Sequence, residues 1–168
     1  MAVVEHARFG RLDTGAVDGA EVIWQGTGEL AGEEVEALLW AGAAGEPSVE
    51  ELDLLAARLD GLPAADAAAR AALRAHLEED RYFIDFHVDE LDGIEAVERL
   101  VREAAGAEVG PAAFVAALRL NGVGLWLNGL SAGTPVVLDY VLAPEFSDQI
   151  LAVRMTGDGA VDSVDWES

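Results

Sequence analysis

The amino-acid sequence predicts an α+β fold, with strands at both ends of the chain and helices between them. Over residues 9–40 and again over residues 124–167, apolar and polar residues alternate with the period of two that is typical of strands. In the block between them, apolar residues recur three and four positions apart, which is the spacing of one helix face. We therefore expect an N-terminal β-meander and C-terminal antiparallel strands to form one antiparallel sheet covered by the central helices.

The size of the chain favours a single unit. It has 168 residues, of which 52% are apolar, so it is long enough to bury a core and short enough for one domain. It contains no internal repeat of the kind that forms a solenoid, and no low-complexity linker that would separate two domains. We expect residues 1–168 to form one α+β domain.

A hairpin is expected in the first strand block, with Ala31-Gly32 as its two-residue turn. This turn places Trp24 opposite Leu39, and Gly28 opposite Val35. All four residues then lie on one face of the hairpin, so the turn and the alternation agree on the same register.

The first helix of the middle block is predicted by its start signal. Ser48, followed three residues later by Glu51, forms a capping box in which the serine hydroxyl accepts a hydrogen bond from a backbone N–H of the first turn. Gly61 and Pro63 mark the end of this helix. The apolar residues between these signals have helical spacing and are Leu52, Leu55, Ala56 and Leu59.

Three further helices are expected. The second covers about residues 64–80 and contains an alanine-rich stretch of high helix propensity. The third begins near Asp92, and Gly110-Pro111 opens a short fourth. Their core-facing residues are expected to be Ala69, Leu73 and Leu77 in the second, Ile94, Val97, Val101 and Ala104 in the third, and Phe114 and Leu118 in the fourth.

The segment Tyr82–Leu91 fits two structures. As a strand, it would place four apolar residues on one face and polar residues on the other. As a helix, it would place Ile84, Val88 and Leu91 on one face, with Phe83 and His87 beside them. The residue pattern alone leaves both open.

The last block contains four expected strands, over residues 124–127, 136–142, 150–156 and 160–167. Asp158-Gly159 favours a two-residue type I′ turn between the last two. The pairs that follow from this turn are Gly157 with Ala160, Val153 with Val164, and Leu151 with Trp166. Because the apolar members share one face, we expect Trp166 to be a core residue.

The charge of the chain limits its partners. It carries 32 acidic and 10 basic residues, a formal net charge of −22 and a pI near 4.1. Such a negative field repels phosphate groups, so we expect neither a nucleic-acid partner nor attachment to a membrane surface. A basic protein is the partner that this charge favours. Since the chain has no cysteine, disulfides, zinc fingers and thiol chemistry are excluded.

The expected location is the cytoplasm. Met1–Gly10 has no apolar stretch typical of a signal peptide. The longest uncharged stretch, Leu120–Leu138, is rich in glycine, asparagine and other turn-forming residues. We therefore interpret it as a buried hairpin region and not as a membrane span.

One sequence motif has the form of a hydrolase nucleophile. Gly129–Gly133 matches G-x-S-x-G around Ser131. A nucleophile elbow needs a helix directly after the serine and a histidine later in the chain. Here Thr134-Pro135 leads into another predicted strand, and all three histidines precede Ser131. The motif is interpreted as a hairpin loop.

Two groups of acidic residues and histidine are candidate sites. His87 is two residues from Asp85, so on a helix it points to the other side, and Asp85, His87 and Asp89 do not chelate one ion together. His76 and Asp80 have helical i, i+4 spacing, but two ligands are too few for a metal, and H-E-x-x-H is absent. We expect no metal and no cofactor, and retain Asp85, His87 and Asp89 as candidate binding residues.

Asp139 is the fourth candidate binding residue. It shares a predicted strand face with Val137 and Val141. Such a carboxylate is at a sheet edge, half-buried beside an arginine such as Arg154 or Arg119, or functional.

The tryptophans have two possible roles. All four lie on predicted strands, and they are Trp24, Trp40, Trp126 and Trp166. Packing in the core is the expected role, and an exposed aromatic patch for a partner is the alternative.

Several local features together resemble a bacterial family known only as the domain of unknown function number two thousand and four. These features are Phe9–Asp13, Phe86-His87 with Glu90-Leu91, Val123–Trp126, Leu138–Tyr140, Ile150–Val153, Asp158-Gly159 and Glu167-Ser168. The resemblance covers nearly the whole chain. It implies a helix over Tyr82–Leu91, and it implies no activity, because none is assigned to the family.

The leading hypothesis for function is a non-enzymatic protein-binding module. It would bind a basic partner, and one version is an acidic immunity protein that occupies the phosphate cleft of a basic nuclease. One alternative is a small metal-dependent hydrolase or other enzyme that uses His76, Asp85, His87 or Asp139. A second alternative is that the acidity serves solubility or salt adaptation, with no charged partner.

Overall fold

Strands and helices follow one another in the predicted order in the computed structural model, which describes residues 3–13, 20–42, 47–87, 99, 110–127, 133–142 and 148–167. The strands are β1 (Val3–His6), β2 (Gly10–Asp13), β3 (Glu21–Leu30), β4 (Glu33–Ala41), β5 (Arg119–Trp126), β6 (Val136–Val141), β7 (Ile150–Met155) and β8 (Val161–Glu167). The helices are α1 (Val49–Asp60), α2 (Leu62–Glu79), α3 (Tyr82–Asp85) and α4 (Pro111–Ala117). The fold is α+β. The candidate Asp89, the loop around Ser131 and, apart from the helical residue Arg99, the helix expected from Asp92 lie outside the described residues.

Six strands form one sheet in the order β3-β4-β5-β6-β7-β8. All neighbours are antiparallel except β4 and β5, which are parallel. The sheet is therefore mixed, and the expectation of an entirely antiparallel sheet is corrected at this pair. Parallel neighbours need a long crossover, and here the helical block between β4 and β5 provides it.

The first two strands form a separate two-stranded sheet instead of continuing into β3. Two contacts from this hairpin reach α1. His6 Nε2 lies 2.7 Å from Asp53 Oδ1, and Arg8 Nε donates to Asp60 Oδ1 over 2.8 Å. The side chain of Phe9 is buried in the core next to them. The N-terminal hairpin thus packs on the helical layer.

The hairpin of β3 and β4 has the predicted register. Trp24 lies opposite Leu39, and Gly28 lies opposite Val35. Ala31, with φ of 52°, and Gly32, with φ of 81°, form the turn. Positive φ at both central residues is the geometry of a type I′ turn, whose twist matches that of the two strands.

The helical block begins and packs as predicted in the described part. The Ser48 hydroxyl accepts a hydrogen bond of 3.0 Å from the backbone N–H of Glu51, and Gly61 ends α1. Gly110 precedes α4 as its N-cap, and Pro111 occupies the first turn. The predicted core-facing residues of α1, α2 and α4 are all buried: Leu52, Leu55, Ala56, Leu59, Ala69, Leu73, Leu77, Phe114 and Leu118.

The six-stranded sheet packs on the helices with one face, which we call the proximal face. Its buried residues include Leu39, Leu125, Leu138, Leu151 and Val153, which join the apolar residues of the helices in one core. The approach is close at Gly28, where a Cβ atom would lie only 2.7 Å from Leu59 Cδ1. We call the opposite face of the sheet the distal face.

A buried polar group connects α2 to the sheet. The Tyr140 hydroxyl of β6 donates to Asp66 Oδ1 over 2.6 Å. Arg70 donates to the same carboxylate over 3.0 Å, and its Nη1 donates to the Val115 carbonyl over 2.6 Å. Since each polar group has a partner, this contact fixes the position of α2 relative to β6 and α4 without leaving an unpaired charge.

The described part of the ambiguous segment is helical. Tyr82–Asp85 forms α3, and a wider, π-type turn continues it to His87. Phe83 and Ile84 are buried. The strand alternative is therefore wrong for residues 82–87, while residues 88–91 lie outside the described residues.

The last hairpin has the predicted apolar register with a different turn. Val153 lies opposite Val164 and Leu151 opposite Trp166, as predicted. The loop, however, has three residues, because the Thr156 N–H donates to the Ala160 carbonyl over 2.8 Å, so the pairing of Gly157 with Ala160 was wrong. Gly159 alone in this loop has positive φ, at 92°, which excludes type I′. A bulge between Arg154 and Met155 restores the register.

Candidate functional site

The distal face holds a cleft of about 340 Å³. It arises from strand alternation, because every second residue of β4 to β8 points to this face. Its aromatic and polar side chains are the tryptophans Trp40 and Trp126, the carboxylates Glu36, Asp139 and Glu167, the guanidinium of Arg154 and the amide of Asn121. The lining is completed by two glycines of β5, Gly122 and Gly124, and by the apolar residues Leu38, Val123 and Val137.

The floor of the cleft at Gly122 is open because no side chain fills it. Gly122 lies directly opposite Asp139 in the pairing of β5 and β6. A Cβ atom at Gly122 would meet only the Glu36 carbonyl oxygen, at 3.9 Å. Its φ is not in the positive range, since the positive-φ glycines of the described residues are elsewhere. A Cβ atom would fit at this position and the backbone conformation does not require glycine. The effect of Gly122 is therefore to leave an open space beside the Asp139 carboxylate.

Two tryptophans form one wall. Trp40 and Trp126 are Cα partners in the parallel pair of β4 and β5, and their rings stack with centroids 4.9 Å apart at an angle of 7°. Both side chains are half-buried. Trp126 Nε1 is buried and has no hydrogen-bond partner among the described residues. It lies over Gly124, where a Cβ atom would be 3.0 Å away, so this second glycine makes room for the indole.

Asp139 is half-buried on an interior strand, between β5 and β7. The edge explanation for this residue is therefore excluded. Burial and the negative charge of Glu167 raise the pKa of Asp139 to about 6, and the positive charge of Arg154 opposes this shift only in part. Within the described ranges no hydrogen bond to its carboxylate is present. Among the described residues, Asp139 thus has a nearby positive charge but no hydrogen-bond partner.

Arg154 is held by other acids. Its Nε donates to Asp165 Oδ2 over 2.9 Å, and its Nη2 donates to Glu167 Oε1 over 3.3 Å. The diagonal position of Arg154 and Asp165 follows from the predicted hairpin register. Glu36, at the other end of the cleft, accepts a hydrogen bond of 3.1 Å from the Gln25 amide of β3. Three carboxylates and one guanidinium leave the cleft negative at neutral pH.

The other sequence-predicted site residues do not join Asp139. His87 is fully buried beside Phe83 and Phe114 in the core, and its Nδ1 lies 2.8 Å from the Phe83 carbonyl oxygen. Burial lowers the pKa of His87. Asp85 is exposed on α3, 4.0 Å from Arg81 Nε. The structure therefore separates these candidates, and only Asp139 lies in the cleft.

The second histidine group also forms no cluster. His76 is half-buried near the end of α2, and Asp80 accepts a hydrogen bond of 2.9 Å from the backbone N–H of Tyr82. Among the residues that the structure describes, no group of three histidine or acidic side chains is placed to hold a metal ion. None of the described helices combines the length and apolar content that a bilayer span requires.

A larger groove of about 590 Å³ lies along β3 and the end of α1. Its arginine, Arg8, already donates to Asp60 and, over 2.8 Å, to the Thr27 carbonyl. The guanidinium also lies 5.6 Å from the centre of the Trp24 ring. The carboxylates of the groove, Glu29, Glu34 and Asp60, are exposed, whereas Asp139 of the distal cleft is half-buried, so we take this groove as the weaker candidate despite its size.

Sequence reasoning found Asp139 and the tryptophans but missed the residues that complete the cleft. All four tryptophans lie on strands as predicted and all four are half-buried; Trp24 and Trp166 pack against the core as expected, whereas Trp40 and Trp126 line the cleft. The glycines Gly122 and Gly124 share the two-residue alternation of Trp126, a signal that could have placed them on one face. The meeting of Trp40 with Trp126 depends on the parallel pairing, for which the local pattern gives no signal.

Comparison of this chain with known proteins identifies no relative. No protein-family model, no curated protein and no solved structure matches this chain. The interpretation of the cleft rests on its own geometry and charge.

Proposed function

We propose that this protein is a non-enzymatic binding module that takes a basic protein partner on its distal face. The observation that carries the proposal is Asp139, a half-buried carboxylate without a hydrogen-bond partner among the described residues, in a cleft lined by two further carboxylates. A cationic side chain of a partner would supply the hydrogen bonds that the described residues do not give to the Asp139 carboxylate. An immunity-like role, in which an acidic protein blocks a basic nuclease, is one form of this proposal.

The net negative charge of the chain favours binding of a basic protein and disfavours binding of a second copy of this chain. With a net charge of −22, two copies repel each other, whereas a basic protein is attracted over several ångströms. Opposite charge raises the rate of association and selects against wrong partners. The half-buried tryptophans of the cleft add the aromatic surface that is enriched in protein interfaces.

An enzyme that uses Asp139 is the second candidate. The observation that favours it is the raised pKa of Asp139, since a carboxyl group that titrates near 6 can act as a general acid or base. The described lining of the cleft, however, contains no serine, histidine or lysine to act with it. His87 lies in the core on the proximal side, and Asp85 is on the surface of α3.

A location in the cytoplasm and membership of the family named above are part of the same proposal. The fold places Val123–Trp126, Leu138–Tyr140 and Ile150–Val153, three segments that carry the resemblance, on neighbouring strands. Two of them contribute Trp126 and Asp139 to the cleft.

A matched pair of variants tests the binding function. One carries Glu36→Gln, Asp139→Asn and Glu167→Gln in the cleft, and the control carries Glu5→Gln, Glu50→Gln and Glu79→Gln at exposed positions elsewhere. Both lose the same formal charge. Each immobilised protein is incubated with lysate of the source organism at low salt, and the captured proteins are identified and then measured individually for affinity.

We expect a basic protein to bind the wild type and the control equally, and the cleft variant at least about tenfold more weakly. Its association rate should fall with added salt. Equal binding to both variants would show that net charge alone attracts the partner and would overturn the distal face as the site. Hydrolysis of a model ester or glycoside that Asp139→Asn abolishes would favour the enzyme instead.

A further inference from the structure

The shape of the cleft is suited to a flat group. On one side it has the stacked rings of Trp40 and Trp126, and its floor is open at Gly122, while the Trp126 indole covers Gly124. Its volume of about 340 Å³ is at the low end of the range for small-molecule sites. One side chain of a partner fits such a space, while a helix or a strand does not.

The charges of the cleft are suited to a cation that carries several N–H donors. Arg154 donates to Asp165 and Glu167 through Nε and Nη2, so the guanidinium that lines the cleft is held by these two carboxylates and not by Asp139. The Asp139 carboxylate accepts no hydrogen bond within the described part of the chain. Both of its oxygens are then available beside the gap at Gly122.

We propose that the cleft binds the guanidinium group of a single arginine side chain of the partner, which pairs with Asp139 and packs its flat face against the tryptophans. This inference rests on the proposed function and specifies how the partner is recognised. Arginine is preferred over lysine for three reasons. Its planar group donates two parallel hydrogen bonds to one carboxylate and stacks on aromatic rings. Because guanidinium is more weakly hydrated than the ammonium group of lysine, its desolvation costs less free energy.

The proposal implies a dependence on pH. The titratable and charged groups that face Asp139 are Glu36 of β4, Arg154 of β7, and Asp165 and Glu167 of β8. Because the pKa of Asp139 is about 6 in the free protein, binding of a cation at lower pH must first remove a proton. At pH 5 about one tenth of this carboxyl group is ionised, so affinity should be about tenfold lower than above pH 7.

Three short peptides test the proposal with the full chain. They are acetyl-Gly-Arg-Gly-amide, its lysine analogue, and its citrulline analogue, in which a neutral urea replaces the guanidinium. Binding is followed by NMR through the indole N–H signals of the four tryptophans, which detect weak complexes. We expect the arginine peptide to shift the signals of Trp40 and Trp126 more than those of Trp24 and Trp166, and to bind about tenfold more tightly than either analogue.

Two variants locate the site. The Cβ atom of Gly122→Val would make no close contact, and its two methyl groups would occupy the space beside Asp139, so we expect this variant to fold and to lose binding of the arginine peptide. Asp139→Asn should weaken binding about tenfold and remove its dependence on pH between 5 and 7, whereas Glu79→Gln, which removes a distant charge, should change neither. Unfolding curves of each variant verify that a loss of binding is not a loss of fold.

The outcomes separate this inference from the proposed function. Equal affinity for the arginine and citrulline peptides, or full binding by Gly122→Val, would overturn the arginine site. The binding module would still stand if the captured partner loses affinity for the triple cleft variant. If the arginine peptide binds as expected but no partner distinguishes that variant from its control, the cleft is a guanidinium site and the binding module is wrong.

Discussion

Asp139 and Gly122 are partners across β6 and β5, so an acidic side chain on an interior strand stands beside a position that has no side chain. The carboxylate is half-buried and its pKa is raised to about 6. An apolar or neutral residue would suit this place in the sheet better, because partial burial of an unpaired charge is unfavourable. Residues that oppose the stability of a fold in this way are concentrated at functional sites.

Asp139→Asn should therefore stabilise the protein at neutral pH. The pKa of Asp139 lies above its ordinary value of 3.8, so the folded state holds this proton more tightly than the unfolded state does. Its stabilising contribution is present below about pH 4 and is lost as the pH rises through about 6. With allowance for partial exposure, we expect a gain of about 1–2 kcal/mol at pH 7 from urea unfolding.

The same comparison at pH 4 is the internal control. There the wild-type carboxyl group is protonated in the fold, and the advantage of asparagine should vanish. Glu79→Gln, at an exposed position on α2, should change stability little at either pH. An equal gain at pH 4 and pH 7, or a loss at pH 7, would contradict this account of Asp139.

The second prediction concerns His87 in the core. Burial lowers its pKa below the ordinary 6.5, so the folded state binds this proton less readily than the unfolded state. Its contribution to stability is present above about pH 6.5 and is lost as the pH falls. We expect His87→Asn, which does not titrate, to be less stable than the wild type at pH 7.5, and the difference to shrink on acidification.

Thermal or urea unfolding of both proteins between pH 7.5 and pH 5 measures that difference directly. Asp139 contributes with the opposite sign in this range, so the difference between the two proteins must be used and not the wild-type curve alone. His87→Asn in the background of Asp139→Asn removes the overlap. A constant difference across this range would contradict the prediction for His87.

The third prediction concerns the turn at Ala31-Gly32. Ala31 has φ of 52°, a conformation that is strained for a residue with a Cβ atom and that asparagine tolerates better. Asn-Gly is also the sequence that favours a type I′ turn most strongly. Ala31→Asn should stabilise the protein by about 1 kcal/mol. Gly32→Ala, where φ is 81°, is the reciprocal control and should destabilise it.

Calorimetric melting of the two variants beside the wild type would decide the matter. A lower melting temperature for Ala31→Asn would mean that the turn gains nothing from asparagine. That outcome would contradict the idea that the positive φ at Ala31 destabilises this hairpin.

Local patterns predicted most of the described elements and two registers of this fold because each depends on a few neighbouring residues. The capping pair Ser48 and Glu51 lies within one turn of helix, and the pairing of Trp24 with Leu39 follows from one two-residue turn. In the last hairpin, the predicted pairing of the strands was right although the predicted two-residue turn was wrong. The three-residue loop shifts the pairing by one residue, and the bulge after Arg154 shifts it back.

The cleft could be predicted only in part because its halves are distant in sequence. Trp40 and Trp126 meet through a parallel pair that the chain reaches only after the helical block. No local alternation specifies which strand follows β4 in the sheet. For His87 the sequence predicted a site that the fold does not form. Its acidic neighbours in sequence suggested a binding site, but the helical turn places His87 in the aromatic core.

The fourth prediction concerns Trp166 on the edge strand β8. Its ring contacts those of Tyr82, Phe83 and Phe86 at centroid distances of 5.4 Å, and its Nε1 donates to Gln149 Oε1 over 2.7 Å. The side chain is half-buried and not fully enclosed, so the loss should be smaller than for a core aromatic. We expect Trp166→Ala to destabilise the protein by about 2–3 kcal/mol in urea unfolding.

Trp166→Phe distinguishes the ring contacts from the hydrogen bond. Phenylalanine retains an aromatic ring beside Phe83 and Phe86 but cannot donate to Gln149, so it should lose about 1 kcal/mol. Because the three partner rings belong to α3 and the turn that follows it, the alanine variant should also loosen that segment. Hydrogen exchange at residues 82–87 should then be faster than in the wild type. If Trp166→Ala stays within about 0.5 kcal/mol of the wild type and leaves that exchange unchanged, β8 does not hold α3 in place.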